Sequence, residues 1–369
     1  MLSASSIAIA GTSLAAYSAP AKPATGLSLS HAEIDQSLSF LRSHPVIDVH
    51  AHPGRSFMVG IELDPALAQV ILPGGFEQQR ITGMKNYGID TVLSAIVSDL
   101  KVLGFAGEGI VSTRNFNPGE AYEDFLRQLN HLKKTVANSS LTQVTTAAEI
   151  RAAHDAQMPS FMFASEGGDF IEDNLDRIAM AHKEGIRVIG PVHYHTNDFG
   201  DIQTAPAKHG GLTPLGAEAV REMNHQGILI DVAHASEPTV NGILEASSKP
   251  IMLSHSHIAG KIQSARFVSL ALVQRIAEQD GIIGAWPAGI GAKTLGDFVN
   301  RVLELVDAVG AEHVAIGTDL DANYKPVLTE YADFVALTGG LRQQGVKDVD
   351  LAAILGGNFL RVLAASEVV

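Results

Sequence analysis

Six short apolar runs in this 369-residue chain end in side chains that bind metal ions or move protons. The first closes with Asp48-Val49-His50-Ala51-His52, another with Ser165-Glu166-Gly167-Gly168, and a third leads into His193-Tyr194-His195. The others close with Asp231-Val232-Ala233-His234, Ser254-His255 and Thr318-Asp319. In His-x-His on a strand, residues i and i+2 face the same way, so two imidazoles reach one ion. A donor set of imidazole and carboxylate without sulfur suits Zn²⁺ or a similar first-row divalent ion. One histidine at a strand end is usually a hydrogen-bonded structural residue. Six such strand ends in register are another matter, because burying that many polar groups without a compensating ion costs kilocalories each. The pattern predicts a metal centre.

Such a centre needs elements that bring distant residues to one place. Eight runs rich in Val, Ile and Ala read as strands: Pro45–Val49, Thr91–Val97, Ser160–Ala164, Val188–Val192, Ile228–Val232, Pro250–Leu253, Ile282–Ala285 and Val314–Gly317. Amphipathic helical stretches lie between them, among them Gly119–Ala137, Asn174–Glu184, Pro214–Gln226, Glu237–Ser247, Leu270–Asp280 and Leu295–Val309. Strands apolar on nearly every residue suit a parallel sheet covered on both faces. Eight of them alternating with helices predict an α/β chain folded as a (β/α)8 TIM barrel, whose strand carboxyl ends share one mouth. A doubly wound open sheet is the alternative, but no G-x-G-x-x-G follows the first strand. Gly104–Pro118 reads as a loop inserted above the barrel. His31, His44, His131, His154, His182, His225 and His313 fall in helical or loop sequence and are expected at the surface. His195, His209 and His257 fall near the candidate site without an assigned role.

Composition narrows the partners. The chain is 46% hydrophobic, which excludes a disordered protein, and it has no cysteine, which excludes a disulfide scaffold and a thiol nucleophile. Forty acidic residues against 26 basic ones give a formal charge of −14, and no long Lys/Arg run is present, so nucleic acid is not an expected partner. No run reads as a transmembrane helix. Residues 1–29 read as a signal-like remnant and linker preceding a single domain over 30–369. The apolar stretch Ile7–Ala16 resembles the hydrophobic region of a secretory signal, without its basic start. Export to a periplasm or medium is therefore expected, a cytoplasmic tail being the alternative. A homodimer is the default assembly.

Several stretches, taken in order, carry a family likeness: Glu166-Gly167-Gly168, Gly211-Leu212-Thr213-Pro214-Leu215-Gly216, Glu222-Met223-Asn224, Ile230-Asp231-Val232-Ala233-His234, Ser254-His255-Ser256, Gly317-Thr318-Asp319-Leu320-Asp321 and Gly356-Gly357-Asn358-Phe359-Leu360-Arg361-Val362. From about Val46 to Ala364 the chain resembles the renal (membrane) dipeptidase family, zinc peptidases of the amidohydrolase superfamily with a distorted TIM barrel. The resemblance implies a metallodipeptidase that cleaves short peptides with a water activated between two divalent ions, Zn²⁺ first among them. It makes His50 and His52 ligands of one ion, Glu166 the bridge, and His234 with His255 ligands of the other. Asp319 falls beside the metals as the proton carrier, His193 where the substrate carbonyl or oxyanion is contacted, and Arg266 where the dipeptide's free carboxylate binds.

This chain departs from the family pattern twice. It has His-Ala-His where the family has His-x-Asp, which removes one negative charge, and Phe267-Val268-Ser269 follows Arg266 in place of the usual Asn-x-Pro surroundings. Two other readings are open: a related amidohydrolase acting on N-acyl amino acids, cyclic amides or lactones, and a non-catalytic peptide-binding relative.

Overall fold

The computed structural model describes residues 23–61, 74–106 and 109–368. The signal-like segment lies, through residue 22, outside the described residues. Five parallel strands stand side by side in the order β1 (Ile47–Ala51), β2 (Thr91–Val97), β6 (Ser160–Glu166), β7 (Ile186–Ile189) and β8 (Leu229–Ile230). The short β5 (Thr142–Gln143) also pairs with β6. A second parallel sheet sets β9 (Met252–Ser256) beside β10 (Ile282–Ala285) and β10 beside β11 (Val314–Ile316). Single parallel bridges join the two sheets, Asp231 with Met252 and Ala51 with Leu320. All eight apolar runs are strands, shifted at most by a few residues at their ends.

Each of these strands is buried almost throughout, and its alternate residues serve different partners. Ile47 and Val49, Leu93 and Ala95, Met162 and Ala164, Val188, Leu229, Met252, Ile282 and Ala315 belong to one apolar cluster drawn from all eight strands. The intervening residues, such as Val92, Phe161, Phe163, Ile189, Ile283 and Ile316, join a larger core with the surrounding helices. This two-sided demand is why the strands read as continuous apolar runs.

The helices begin where sequence supplies a cap. Ser30 and Glu33 form a capping box on α1 (His31–Ser43), and Thr294 and Asp297 do the same at the last of the long amphipathic helices, Leu295–Val309. Thr213 caps Pro214–Gln226, which ends on Gly227 in the left-handed region.

The predicted loop Gly104–Pro118 is in part a hairpin. Antiparallel β3 (Leu103–Ala106) and β4 (Gly109–Ser112) pair Leu103 with Ser112 and Phe105 with Ile110. Gly104 and Gly109 break the apolar pattern there, while Leu103, Phe105, Ile110 and Val111 provide the strand formers. One helical run, Asp348–Ser366, is long and apolar enough to cross a membrane by length and composition. It is 56% buried inside the protein, with Phe359, Leu360, Val362 and Leu363 filling the cluster between the strands.

Candidate functional site

The polar residues that follow the strands gather around Glu166, the last residue of β6. At β1 the pairing with β2 slips between Asp48 and Ala51, a bulge that re-aims the strand end carrying His50 and His52. A similar slip between β9 and β10 falls at His255. His234 and Asp319 lie just beyond their strands with φ of 68° and 53°, left-handed conformations uncommon for residues with side chains. Such backbone is retained where the surroundings hold it, and it concentrates at functional sites.

The side chains form a tight, buried cage. Glu166 Oε1 lies 2.9 Å from His234 Nε2, 3.4 Å from His50 Nε2 and 3.5 Å from His255 Nε2. Its Oε2 lies 3.2 Å from His52 Nε2 and 3.4 Å from His193 Nε2. Asp319 Oδ1 is 3.5 Å from His52 Nε2. The imidazoles converge in pairs, His50 Nε2 to His52 Nε2 at 3.3 Å and His234 Nε2 to His255 Nε2 at 3.1 Å. Ligand atoms lie within 4.8 Å of one another in three sets: His50, His52 and Asp319; His50, Glu166 and His255; and Glu166, His193 and His234.

Nitrogen lone pairs and carboxylate oxygens crowded together repel unless a cation or a proton separates them. His52 Nδ1 is 3.1 Å from the Ala95 carbonyl, an acceptor only, so Nδ1 carries hydrogen and Nε2 is the nitrogen turned to Glu166 and Asp319. Among the described residues, the buried His234 Nδ1 has no hydrogen-bond partner. The donor set and its inward aim fit a divalent cation.

The electrostatics follow. Burial alone would raise the Glu166 carboxyl, but the charges of His193, His50 and His234 hold it well below the usual carboxylate range. Burial works against a charge on His50, yet Glu166, Asp319 and Asp231 lift it to about 9. His234 and His255 are pushed well down by burial, with the Arg266 charge adding to the effect on His234. Burial pushes Asp319 up to about 6 against the pull of His52 and His50.

Arg266 borders the cage. It is 6% exposed, its guanidinium lies 5.3 Å over the Trp286 ring, and Nη2 is 3.0 Å from His234 Nε2. Nη1 donates to Gln203 Oε1. The two strands to which sequence reading attached no chemistry also contribute. Asp99, two residues past β2, touches His193, and Trp286 directly follows β10. Asp99 was legible by the same rule that found the other strand ends. His195 pairs with Asp169 at 2.7 Å, His257 with Glu304 at 2.9 Å, and His209 with the Asn197 carbonyl, all outside the cage. Tyr194, whose ring packs on both His193 and His234, lines a neighbouring cavity of about 380 Å³ with His195, Lys208 and residues Val111 and Ser112 of β4.

Residues 39–369 match the membrane dipeptidase family, peptidase family M19. The chain belongs to this family. Its relatives include dipeptidase aclJ of Aspergillus oryzae, 28% identical over 69% of this chain and 64% of that protein. Another is dipeptidase verJ of Clonostachys rogersoniana, 29% identical over 60% of this chain and 59% of that one. The match thus spans less than two thirds of the length of these relatives. Among solved structures, a metallopeptidase from Rhodobacter sphaeroides, liganded with a phosphinate mimic of the dipeptide L-Ala-D-Ala, has the same fold. It aligns with a TM-score of 0.74 at 22% identity, over 88% of this chain and 99% of that one. The probable dipeptidase PvdM of Pseudomonas aeruginosa aligns with a TM-score of 0.75 at 18% identity, over 92% and 99%.

Proposed function

We propose that this chain is a metal-dependent dipeptidase. One observation carries the reading: a single buried glutamate, Glu166, stands between two imidazole pairs, each pair closing on itself at 3.1–3.3 Å. His50 and His52 would hold one divalent ion with Asp319 beside it, His234 and His255 the other, and Glu166 would join them. Zinc is the ion that this donor set favours. When bound, such a pair lowers the pKa of a shared water towards neutrality and polarises a carbonyl. The two sheets are read as one closed, distorted (β/α)8 barrel, joined at the Asp231–Met252 and Ala51–Leu320 bridges, with the cage at its carboxyl-end mouth.

The chain's own residues do the rest. Asp319, raised towards neutrality by burial, accepts a proton from the attacking water and returns it to the leaving amine. His193 donates from Nε2 to the oxygen that gains charge as the carbonyl is attacked. Arg266 is a buried cation for which no carboxylate partner appears among the described residues, and its fork suits a substrate carboxylate in two-point contact. With His234 holding an ion, Nε2 would no longer accept from Arg266 Nη2, and that guanidinium nitrogen would be free to donate to substrate. Tyr194 and the adjacent cavity give a side chain somewhere to go.

The carboxylate contact alone admits N-acyl amino acids as well as dipeptides. The test is metal content together with a substrate panel, in which dipeptides varied at the second residue in both chiralities are set against N-acyl amino acids. About two ions per chain and turnover of dipeptides support the reading. A metal-free protein that binds peptides without cleaving them overturns it, and turnover of acyl amino acids alone moves the substrate to that class.

A further inference from the structure

Asp99 is wholly buried and stands outside the cage, yet both of its carboxylate oxygens are used on the segment carrying His193. Its Oδ1 lies 2.7 Å from His193 Nδ1. Its Oδ2 accepts from the backbone N–H groups of Tyr194 and His195, both at 2.9 Å. We propose that Asp99 is the positioning residue of the site, fixing the orientation and protonation pattern of His193 so that Nε2 points at the reacting carbonyl; this rests on the dipeptidase reading above.

The argument is one of donors and acceptors. A buried carboxylate is tolerated when its oxygens are supplied with donors, and here three are supplied. With Oδ2 held by two backbone N–H groups, Oδ1 faces Nδ1 and has no hydrogen to give. Nδ1 must therefore carry hydrogen. Nε2, 3.4 Å from Glu166 Oε2, is the working nitrogen, and the carboxylate behind the ring lets it carry a second hydrogen there, the one offered to the developing oxyanion.

The neighbourhood keeps this pair in place. Ser98 N–H donates to the Glu166 carbonyl at 2.9 Å, and Ser98 Oγ accepts from Phe170 N–H at 3.1 Å, tying the end of β2 to that of β6. Gly167, at φ +92°, sits where a Cβ would come within 3.1 Å of Ser98 Cβ and 3.4 Å of His193 Cβ, so the absence of a side chain lets the three segments close. A ring held on one side by a carboxylate and aimed with the other at developing charge is preorganised for transition-state stabilisation.

Asp99→Asn separates positioning from mere packing. The two backbone donors keep the amide oxygen at the Oδ2 place, so the amide nitrogen faces Nδ1 and donates to it. Nδ1 is then bare, the one remaining hydrogen sits on Nε2, and that donor belongs to a neutral ring without its counter-charge. We expect ¹⁵N spectra of the metal-loaded enzyme, assigned with His193→Gln, to show a protonated Nδ1 in the wild type and a bare Nδ1 in Asp99→Asn. Metal content should be unchanged, kcat should fall roughly 10–100-fold and KM should stay within a few-fold, because Nε2 keeps its hydrogen but loses the carboxylate that strengthens it as a donor to the oxyanion. A bare Nδ1 in the wild type overturns the proposal, whether or not any variant folds. So does an Asp99→Asn enzyme with the changed ring and undiminished kcat. A wild-type enzyme inert on every dipeptide would sink the dipeptidase reading instead, and the spectra would still decide where Asp99 puts the hydrogen.

Discussion

His52 gives its Nδ1 hydrogen to the carbonyl of Ala95, on the neighbouring strand β2, and so presents Nε2 to Glu166 at 3.2 Å. The second residue of the His-Ala-His motif is thereby pre-aimed into the cage, at a place where the family pattern has Asp. A main-chain carbonyl fixes the tautomer, which is the usual task of the partner behind a metal-bound imidazole.

His52→Ala should therefore reduce the metal content from the two ions per chain proposed above to one and lower kcat/KM by at least about 100-fold, since even partners of ligands are worth about 10–100-fold. His52→Asp supplies a carboxylate ligand and should keep both ions. Metal analysis of the two variants side by side checks this, and an alanine variant holding two ions would remove His52 from the ligand set.

In the proposed reaction Asp319 carries the proton, and its Oδ1 stands 3.5 Å from His52 Nε2. Asp319→Asn keeps the shape and an acceptor oxygen but cannot carry a proton. We expect both ions to stay, and kcat to drop by about 10²–10⁴-fold, the range typical of general acid–base groups. Steady-state kinetics on metal-verified protein tests it, and near-normal turnover would rule out the proton-carrying role.

Arg266 should govern affinity more than rate. Arg266→Ala is expected to raise KM about 10–100-fold, the worth of a hydrogen bond to a charged group, with a smaller change in kcat. Arg266→Lys should recover only part of the loss, because a point charge cannot make the two-point contact. If the alanine variant loses kcat and keeps KM, the carboxylate role belongs to another residue.

Metal uptake should depend on pH, with a sign set by the cage. Without an ion, His50 is held up to about 9 by Glu166, Asp319 and Asp231 against the effect of burial, so it carries a proton at pH 7 that an ion must displace. Protons leave on binding, so affinity rises with pH up to about 9 and falls about tenfold per unit for each proton displaced as the solution is acidified. Calorimetric titration of the metal-free protein with zinc at pH 7.5, in two buffers of different ionisation enthalpy, reads the proton release. Identical heats in both buffers would contradict it.

Much of this was legible in the residues because two periodicities coincide with chemistry. The strands read clearly since both faces are buried, and the cage residues read clearly since each sits at the point where such a run stops. The helices Pro214–Gln226 and Leu295–Val309 coincide with their sequence reading at both ends. The hairpin at 103–112 was hidden because its glycines interrupt the alternation, and its pairing depends on strand partners that spacing does not reveal. Gln203 and Trp286 were hidden for a different reason. Neither is a metal ligand or a titrating group, and their place beneath and beside Arg266 comes from chain segments far apart in sequence. Asp99 lay open to the strand-end rule, but a carboxylate that serves another side chain does not announce its partner.

A cage made only of imidazole and carboxylate, in a chain without cysteine, has a consequence for handling and habitat. Nothing in it can be oxidised to a disulfide, so a reductant that does not itself bind metal should leave the cage indifferent. Its vulnerabilities are acid and chelators, and an oxidising compartment poses it no special hazard.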